Sequence, residues 1–251
     1  EELTTTLRVA GGWVRDKLLP VVGSGRARMV GKEKVDIDIA LDNMLGREFA
    51  ERVNGWLVKH EEESRNIGVI QRNPEQSKHL ETATMKVFGM WIDLVNLRTE
   101  EYTHDSRIPN IAIGTPYEDA MRRDLTINAC FYNINERKIE DFTGRGVQDL
   151  SNRLIRTPLP ALTTLLDDPL RALRSIRFAS RLNFVVDTEL YEACRHSEVH
   201  AALATKVSRE RIGHEVQLMF GSQNPVQAFG LISELGMYST VFRLPNEEKL
   251  A

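Results

Sequence analysis

No apolar stretch in the 251 residues approaches the ~18 that a membrane-spanning helix needs, and the first residues carry no charged-then-apolar signal pattern. A soluble protein with no membrane partner is therefore expected. Cysteine is scarce: Cys130 and Cys194 are the only two. They make neither a disulfide framework nor a zinc site, which points to a reducing compartment such as cytoplasm, nucleus or an organelle interior. Positive charge is not in excess either. With 33 Lys and Arg against 36 Asp and Glu the net charge is -3, which argues against a generally basic nucleic-acid binder and leaves local clusters open. Two motif absences narrow the field further. Gly11-Gly12 is followed by neither a third glycine at the dinucleotide-binding spacing nor a distal acid in a parallel context. The His104-Asp105 pair has no second histidine in the context of a metal phosphohydrolase. What remains, 41% hydrophobic and 27% charged, builds one large domain or two small ones.

The chain is organised around Val35 to Leu41. Apolar residues occupy every second position (Val35, Ile37, Ile39, Leu41) and Asp36 and Asp38 stand between them, the alternation of a half-buried strand. Period two places both carboxylates on one face, roughly 6–7 Å apart along the strand. Carboxylates at that spacing can converge on two divalent cations ~3.5–4 Å apart, as in metal-assisted phosphoryl or nucleotidyl transfer. Their hard oxygens favour Mg2+, with Mn2+ as the alternative. An acidic, solvated strand face fits an isolated Asp-x-Asp equally well.

Ahead of this strand, Leu7 to Ala10 reads as a strand, Gly11-Gly12 as a turn, and Trp13 onward as a helix start, where glycine backbone can approach a phosphate and Arg15 can add a charge. Gly23 to Lys34 reads as an exposed loop. Phe49, Val53, Trp56 and Leu57 recur at helical spacing, so Leu45 to His60 is expected to be a helix with its aromatics in the core. Strands follow at Ile67 to Gln71, Thr84 to Phe88 and Trp91 to Leu97, the last two paired through Gly89-Met90. Asp93 is the one carboxylate in that apolar strand, and either a cation near Asp36 and Asp38 or exposure on an edge accounts for it. Arg98 to Asn110 is polar and reads as a mobile loop. Thr115, Pro116 and Glu118 form a capping box. Its helix runs into Arg122-Arg123, which either grip a triphosphate or lie on the surface. Phe131 to Ile134 and Lys138 to Phe142 read as a hairpin.

At Pro158 and Pro160 the pattern turns helical, dividing the chain into 1–157 and 158–251. Asp168 and Pro169 are expected at N-cap and N1 of a helix whose Arg171, Arg174, Arg177 and Arg181 have no acid between them. One turn brings Asp168 beside Arg171. Lys206, Arg209 and Arg211 make a second basic cluster.

Read in order, the chain carries GGWVRD at Gly11 to Asp16, DID at Asp36 to Asp38, RRDLTINA at Arg122 to Ala129, DFTGRGVQDL at Asp141 to Leu150, DDPLRALRSIRF at Asp167 to Phe178 and SRERI at Ser208 to Ile212. With these motifs it resembles the tRNA nucleotidyltransferases, the CCA-adding enzymes of the class shared by bacteria and eukaryotes. The resemblance implies an α+β fold, with a polymerase-β-like nucleotidyltransferase head of mixed sheet and helices followed by an all-α neck. It implies addition of C and A to the tRNA 3′ end from CTP and ATP. By motif, Asp36 and Asp38 hold the metals and Asp93 is similar to the third carboxylate. Gly12, Arg15 and Arg123 lie against the nucleotide. Asp168 and Arg171 resemble the base-reading pair, with Arg174 and Arg177 near it. The segment from Asp16 to Asp36 is longer and richer in glycine than the short family turn, and the family's C-terminal body and tail are expected to be largely absent. Bacterial poly(A) polymerases and relatives that add only C or only A share the same head and neck. A non-catalytic RNA-binding relative is disfavoured by retention of all three carboxylates.

Overall fold

The computed structural model describes residues 4–19, 37–70, 81–103 and 106–243. They form two compact units, Glu1–Glu101 with Ile108–Leu150, and Tyr102–Arg107 with Ser151–Ala251.

The first unit opens with β1 (Leu7–Ala10), α1 (Gly12–Leu18), β2 (Ile37–Leu41), α2 (Gly46–Lys59), β3 (Ile67–Ile70), β4 (Thr82–Val87) and β5 (Met90–Asn96). β6 (Arg98–Thr103) and β7 (Ser106–Ile113), whose Tyr102–Arg107 end belongs to the second unit, α3 (Pro116–Met121), a 3-10 turn (Thr126–Asn128), β8 (Phe131–Asn133), β9 (Lys138–Glu140) and α4 (Gly146–Ser151) follow. Seven strands make one mixed sheet in the order β3-β4-β5-β2-β1-β8-β9. Only β2 and β5 pair in parallel; the other neighbours are antiparallel. The β4–β5 turn is Phe88-Gly89, with φ of 48° and 80°, the left-handed pair that a two-residue hairpin of right-twisted strands requires.

Strand alternation gives the sheet two different faces. Leu41, Ala83, Met85 and Leu94 turn to one side and pack with Ala50, Phe49 and Val53 of α2. The helix sits so close that a Cβ on Gly46 would lie 2.3 Å from the Leu94 carbonyl oxygen. The other face is covered at one end, where Ala10, Ala40 and Phe131 pack with Leu97, Ala120 and Ala129.

Two expectations change here. Trp56 does not join the core: it is 57% exposed and stacks on His60 with ring centroids 3.9 Å apart, although its spacing puts it on the face of Phe49 and Val53; the core contacts of α2 come from its first two turns, at Phe49, Ala50 and Val53. Arg98 to Asn110 is not a loop. β6 and β7 pair in a two-stranded sheet of their own, whose Glu100 side chain accepts from Arg122 Nη1 at 2.8 Å and whose Arg98 backbone N–H donates to Asp119 Oδ1 at 3.2 Å. His104 and Asp105 lie outside the described residues, as do Gly23 to Lys34. The capping box stands as expected, with Thr115 and Glu118 exchanging both bonds.

The second unit carries β10 (Leu154–Ile155), α5 (Ala161–Asp167), α6 (Leu170–Leu182), β11 (Val185–Val186), α7 (Thr188–Arg195), α8 (Ser197–Lys206), α9 (Arg209–Phe220), α10 (Pro225–Glu234) and α11 (Tyr238–Val241). The compact units divide at Leu150 and Ser151 rather than at 157 and 158, because β10 pairs in parallel with β11 inside the second unit. α6 is its axis: Leu170, Ala172, Leu173, Ile176, Phe178 and Ala179 are all buried, with α9, α10, α5 and the β10–β11 pair around it. Asn183 ends it in the left-handed conformation at φ 54°. Among the described residues no helix is long and apolar enough to cross a membrane.

Candidate active site

Asp38 sits on β2 and Asp93 on β5, and the parallel pairing makes them direct neighbours across the strands. Adjacent strands run ~4.8 Å apart and paired residues share a face, so the two carboxylates lie side by side on the face opposite α2. Thr84 continues the row on β4. Asp36 lies outside the described residues, and among the described residues no group of three His, Cys, Asp or Glu side chains is arranged to hold a metal ion. Two carboxylates in lateral register are nonetheless the hard oxygen donors that magnesium or manganese takes.

β1 is antiparallel to β2, with Val9 opposite Ile39, so Gly11 and Gly12 leave the sheet at the end where Asp38 stands. Gly11 has φ 69° and ψ -130°, a backbone conformation that strains any residue with a Cβ, and an added Cβ would also displace Arg123 Nη1, 2.8 Å away. α1 begins at Gly12. Arg15, one turn on, is buried and donates from Nη1 to Asn128 Oδ1 at 2.7 Å and from Nε to Asp16 Oδ1 at 2.8 Å. Arg123 donates to the Asn128 carbonyl at 3.2 Å and lies over the Phe131 ring at 5.1 Å. Gly12, Arg15 and Arg123 are thus brought together around Asn128.

Neither Arg122 nor Arg123 is a loose surface charge, because both are anchored on Asp119. Arg122 Nη2 reaches Asp119 Oδ1 at 2.5 Å and Arg123 Nη2 reaches Oδ2 at 2.7 Å. Burial raises the Asp119 pKa, but the Arg123 and Arg122 guanidiniums outweigh it and hold the carboxyl below its ordinary value. Asp119 was not singled out from the sequence, although its place three and four residues before the arginines, in the last turn of α3, is the signal that finds it. Cys130 is no nucleophile, since burial and the nearby Asp141 charge push its thiol up to about 12 despite Arg123.

In the second unit, Asp168 and α6 differ in detail from expectation. The helix starts at Leu170 with Pro169 in the N-cap place, yet the Asp168 carboxylate still accepts from the Leu170 N–H at 3.2 Å and its carbonyl from the Arg171 N–H at 2.9 Å. The Leu170 bond is the one a capping side chain accepts from the N–H two residues on, and Pro169 between them has no N–H to leave unpaired. Asp168 Oδ2 also pairs with Arg211 Nη2 of α9 at 3.4 Å. Arg171 and Arg177 are each 8% exposed. Arg177 Nε bonds Glu215 Oε2 at 2.7 Å, with Arg174 Nη1 3.8 Å from Oε1. Arg209 donates to the carbonyls of Thr240 and Val241 at the end of α11. Glu215 and the role of Arg211 had no local signal: Glu215 lies 38 residues from Arg177, and Arg211 lies 43 from Asp168.

The sequence model of the poly A polymerase head domain matches residues 7–156. The chain belongs to this family. It is 49% identical over 241 residues to the mitochondrial CCA tRNA nucleotidyltransferase of Candida glabrata, covering 94% of this chain and 43% of that protein. With the mitochondrial CCA tRNA nucleotidyltransferase of Saccharomyces cerevisiae it shares 47% identity over 249 residues, 98% of this chain and 44% of that one. A solved tRNA-processing enzyme with CTP matches at 25% identity with a TM-score of 0.69, over 98% of this chain and 58% of the other. The chain therefore spans less than half the length of these two curated relatives. The head-domain match begins at the first residue of β1 and contains both carboxylate strands and the Asp119 to Asn128 network.

Proposed function

We propose that this chain adds C and A nucleotides to the 3′ end of tRNA without a nucleic-acid template, using CTP and ATP and releasing pyrophosphate. The observation that carries this reading is the lateral register of Asp38 and Asp93 at the end of the sheet where the Gly11-Gly12 turn emerges. The names of the 49% and 47% identical relatives support it. Asp38 and Asp93, with Asp36 assigned from the sequence alternation alone, are the residues that would hold Mg2+ or Mn2+. Bound there, such ions supply Lewis acidity that lowers the pKa of the attacking 3′-hydroxyl and stabilises the departing pyrophosphate. The backbone at Gly12 and the guanidiniums of Arg15 and Arg123 bind and orient the triphosphate. Asn128 and Asp119 keep the two guanidiniums in place, so little reorganisation accompanies charge development.

Base choice falls to Asp168 and Arg171. Cytosine and adenine both carry an exocyclic amino donor beside a ring-nitrogen acceptor, whereas uracil and guanine present a carbonyl beside an N–H. One acceptor and one donor therefore admit CTP and ATP and reject the other two. Arg174 and Arg177, held by Glu215, stiffen the helix that presents this pair. The buried free cysteines and the mitochondrial relatives support a reducing compartment, an organelle interior among them.

The test is extension of tRNA lacking its 3′ end with CTP, ATP or both. Addition of C, C and A with both nucleotides is expected. A run of A from ATP alone would make the chain a poly(A) polymerase, addition of C or A only would make it a partial enzyme, and RNA binding without addition would make it a non-catalytic relative.

A further inference from the structure

The sheet face that carries Asp38 and Asp93 does not end with them. In the β4–β5 pairing, Thr84 stands opposite Asp93 and Lys86 opposite Trp91, and residues two apart on a strand share a face. Trp91 and Lys86 therefore lie on the carboxylate face, one step beyond Asp93 and away from the end packed by Ala40, Leu97 and Phe131. Trp91 is 42% exposed and Lys86 is exposed. On the opposite face Met85, next to Lys86, is fully buried under α2, whereas Met90, next to Trp91, is 50% exposed like the turn beside it.

An indole on a sheet face usually packs into a core. Here the indole is 42% exposed, with Lys86 opposite it across the strands and Asp93 two residues along its own strand. Aromatic rings with a neighbouring cation are how single-stranded nucleic acid is held, the base stacking on the ring and the phosphate meeting the charge. The separation fits as well. Trp91 and Asp93 are roughly 6.5–7 Å apart along the strand, about the reach of one nucleotide in an extended chain.

We infer that Trp91 and Lys86 form a subsite for the RNA acceptor, taking the nucleotide next to the one whose 3′-hydroxyl reacts. The base stacks on the Trp91 indole and the Lys86 ammonium meets the backbone phosphate. The subsite rests on the nucleotidyl-transfer reading, because that reading puts the reacting hydroxyl at Asp38 and Asp93. Stacking is indifferent to base identity, so the subsite holds the acceptor as its end changes from one base to another.

The experiment compares the chain with its Trp91→Ala, Trp91→Phe and Lys86→Gln variants. Two measurements are made: KM for tRNA lacking its 3′ end and for CTP, and direct binding of a fluorescent single-stranded RNA carrying the acceptor sequence, by anisotropy. For Trp91→Ala, the RNA KM and the dissociation constant should rise about 5- to 100-fold with the CTP KM unchanged. Trp91→Phe should recover most of the loss, and Lys86→Gln should weaken binding and flatten its salt dependence by about one counterion. An unchanged RNA KM, or a rise confined to CTP, overturns the subsite while leaving nucleotide addition standing. If the unaltered chain adds no nucleotide, the functional reading fails, and equal RNA affinity of the chain and Trp91→Ala then overturns the subsite separately. Unchanged unfolding midpoints, expected for exposed positions, exclude a folding defect.

Discussion

Replacing Asp119 with Ala tests the network behind the glycine turn. Asp119 is 1% exposed. Its Oδ1 accepts from Arg122 Nε at 3.0 Å, Arg122 Nη2 at 2.5 Å and the Arg98 N–H at 3.2 Å, and its Oδ2 from Arg123 Nε at 3.0 Å and Nη2 at 2.7 Å. Alanine takes from two guanidiniums, with side chains only 15% and 19% exposed, the counter-charge they share, while Arg122 keeps Glu100 at 2.8 Å. Removing one member of such a buried group costs about 3–5 kcal/mol, a large part of the ~5–15 kcal/mol that holds a domain folded. In urea unfolding followed by circular dichroism, at a slope of ~3 kcal/mol/M, the midpoint should fall by about 1–1.7 M. Asp119→Asn, which keeps an acceptor and loses the charge, should fall between. The pH dependence has a definite sign. The folded carboxyl is held below its ordinary value, so its contribution is fully present above the unfolded pKa of ~3.9 and is lost as pH falls through the lower folded value. The gap between the two proteins should therefore be constant from neutral pH to about 5 and close in stronger acid. A midpoint shift within error at pH 7, or a gap that widens on acidification, would refute the buried ion network.

Three further outcomes are expected. Asp38→Asn and Asp93→Asn should each abolish magnesium-dependent addition while leaving the melting temperature within a few degrees; addition surviving in both would remove the carboxylate pair from the chemistry. Asp168→Ala should flatten kcat/KM across the four triphosphates, with only about 1 kcal/mol lost through the cap, and unchanged selectivity with a lowered midpoint would leave Asp168 as a cap alone. Cys130 and Cys194, both with thiols pushed up to about 12, should resist a thiol-reactive disulfide at pH 8 until the protein unfolds, so rapid labelling of the native chain would contradict their burial.

Local chemistry was written in the sequence. The alternation around Asp38, the capping box at Thr115, the strand-turn-helix start at Gly11 and the arginines of α6 depend on neighbours within a turn or a pleat, and periods of two and 3.6 make these visible in order along the chain. The carboxylate-bearing strand and the motif order were legible for that reason. Long-range partners were not. That Asp93 stands beside Asp38 is a matter of strand pairing between residues 55 apart in number (93 − 38), and nothing in either strand encodes which neighbour it takes. Glu215 neutralising Arg177, Arg211 reaching Asp168 and Arg122 drawing Glu100 into a polar hairpin are likewise contacts between distant segments. They decided which charges became anchored scaffolding. Tertiary packing also left Trp91 42% exposed on the sheet face opposite α2 and Trp56 57% exposed on α2 itself. A side chain's direction follows from its own backbone, but what it meets there is set by which element the fold packs against it.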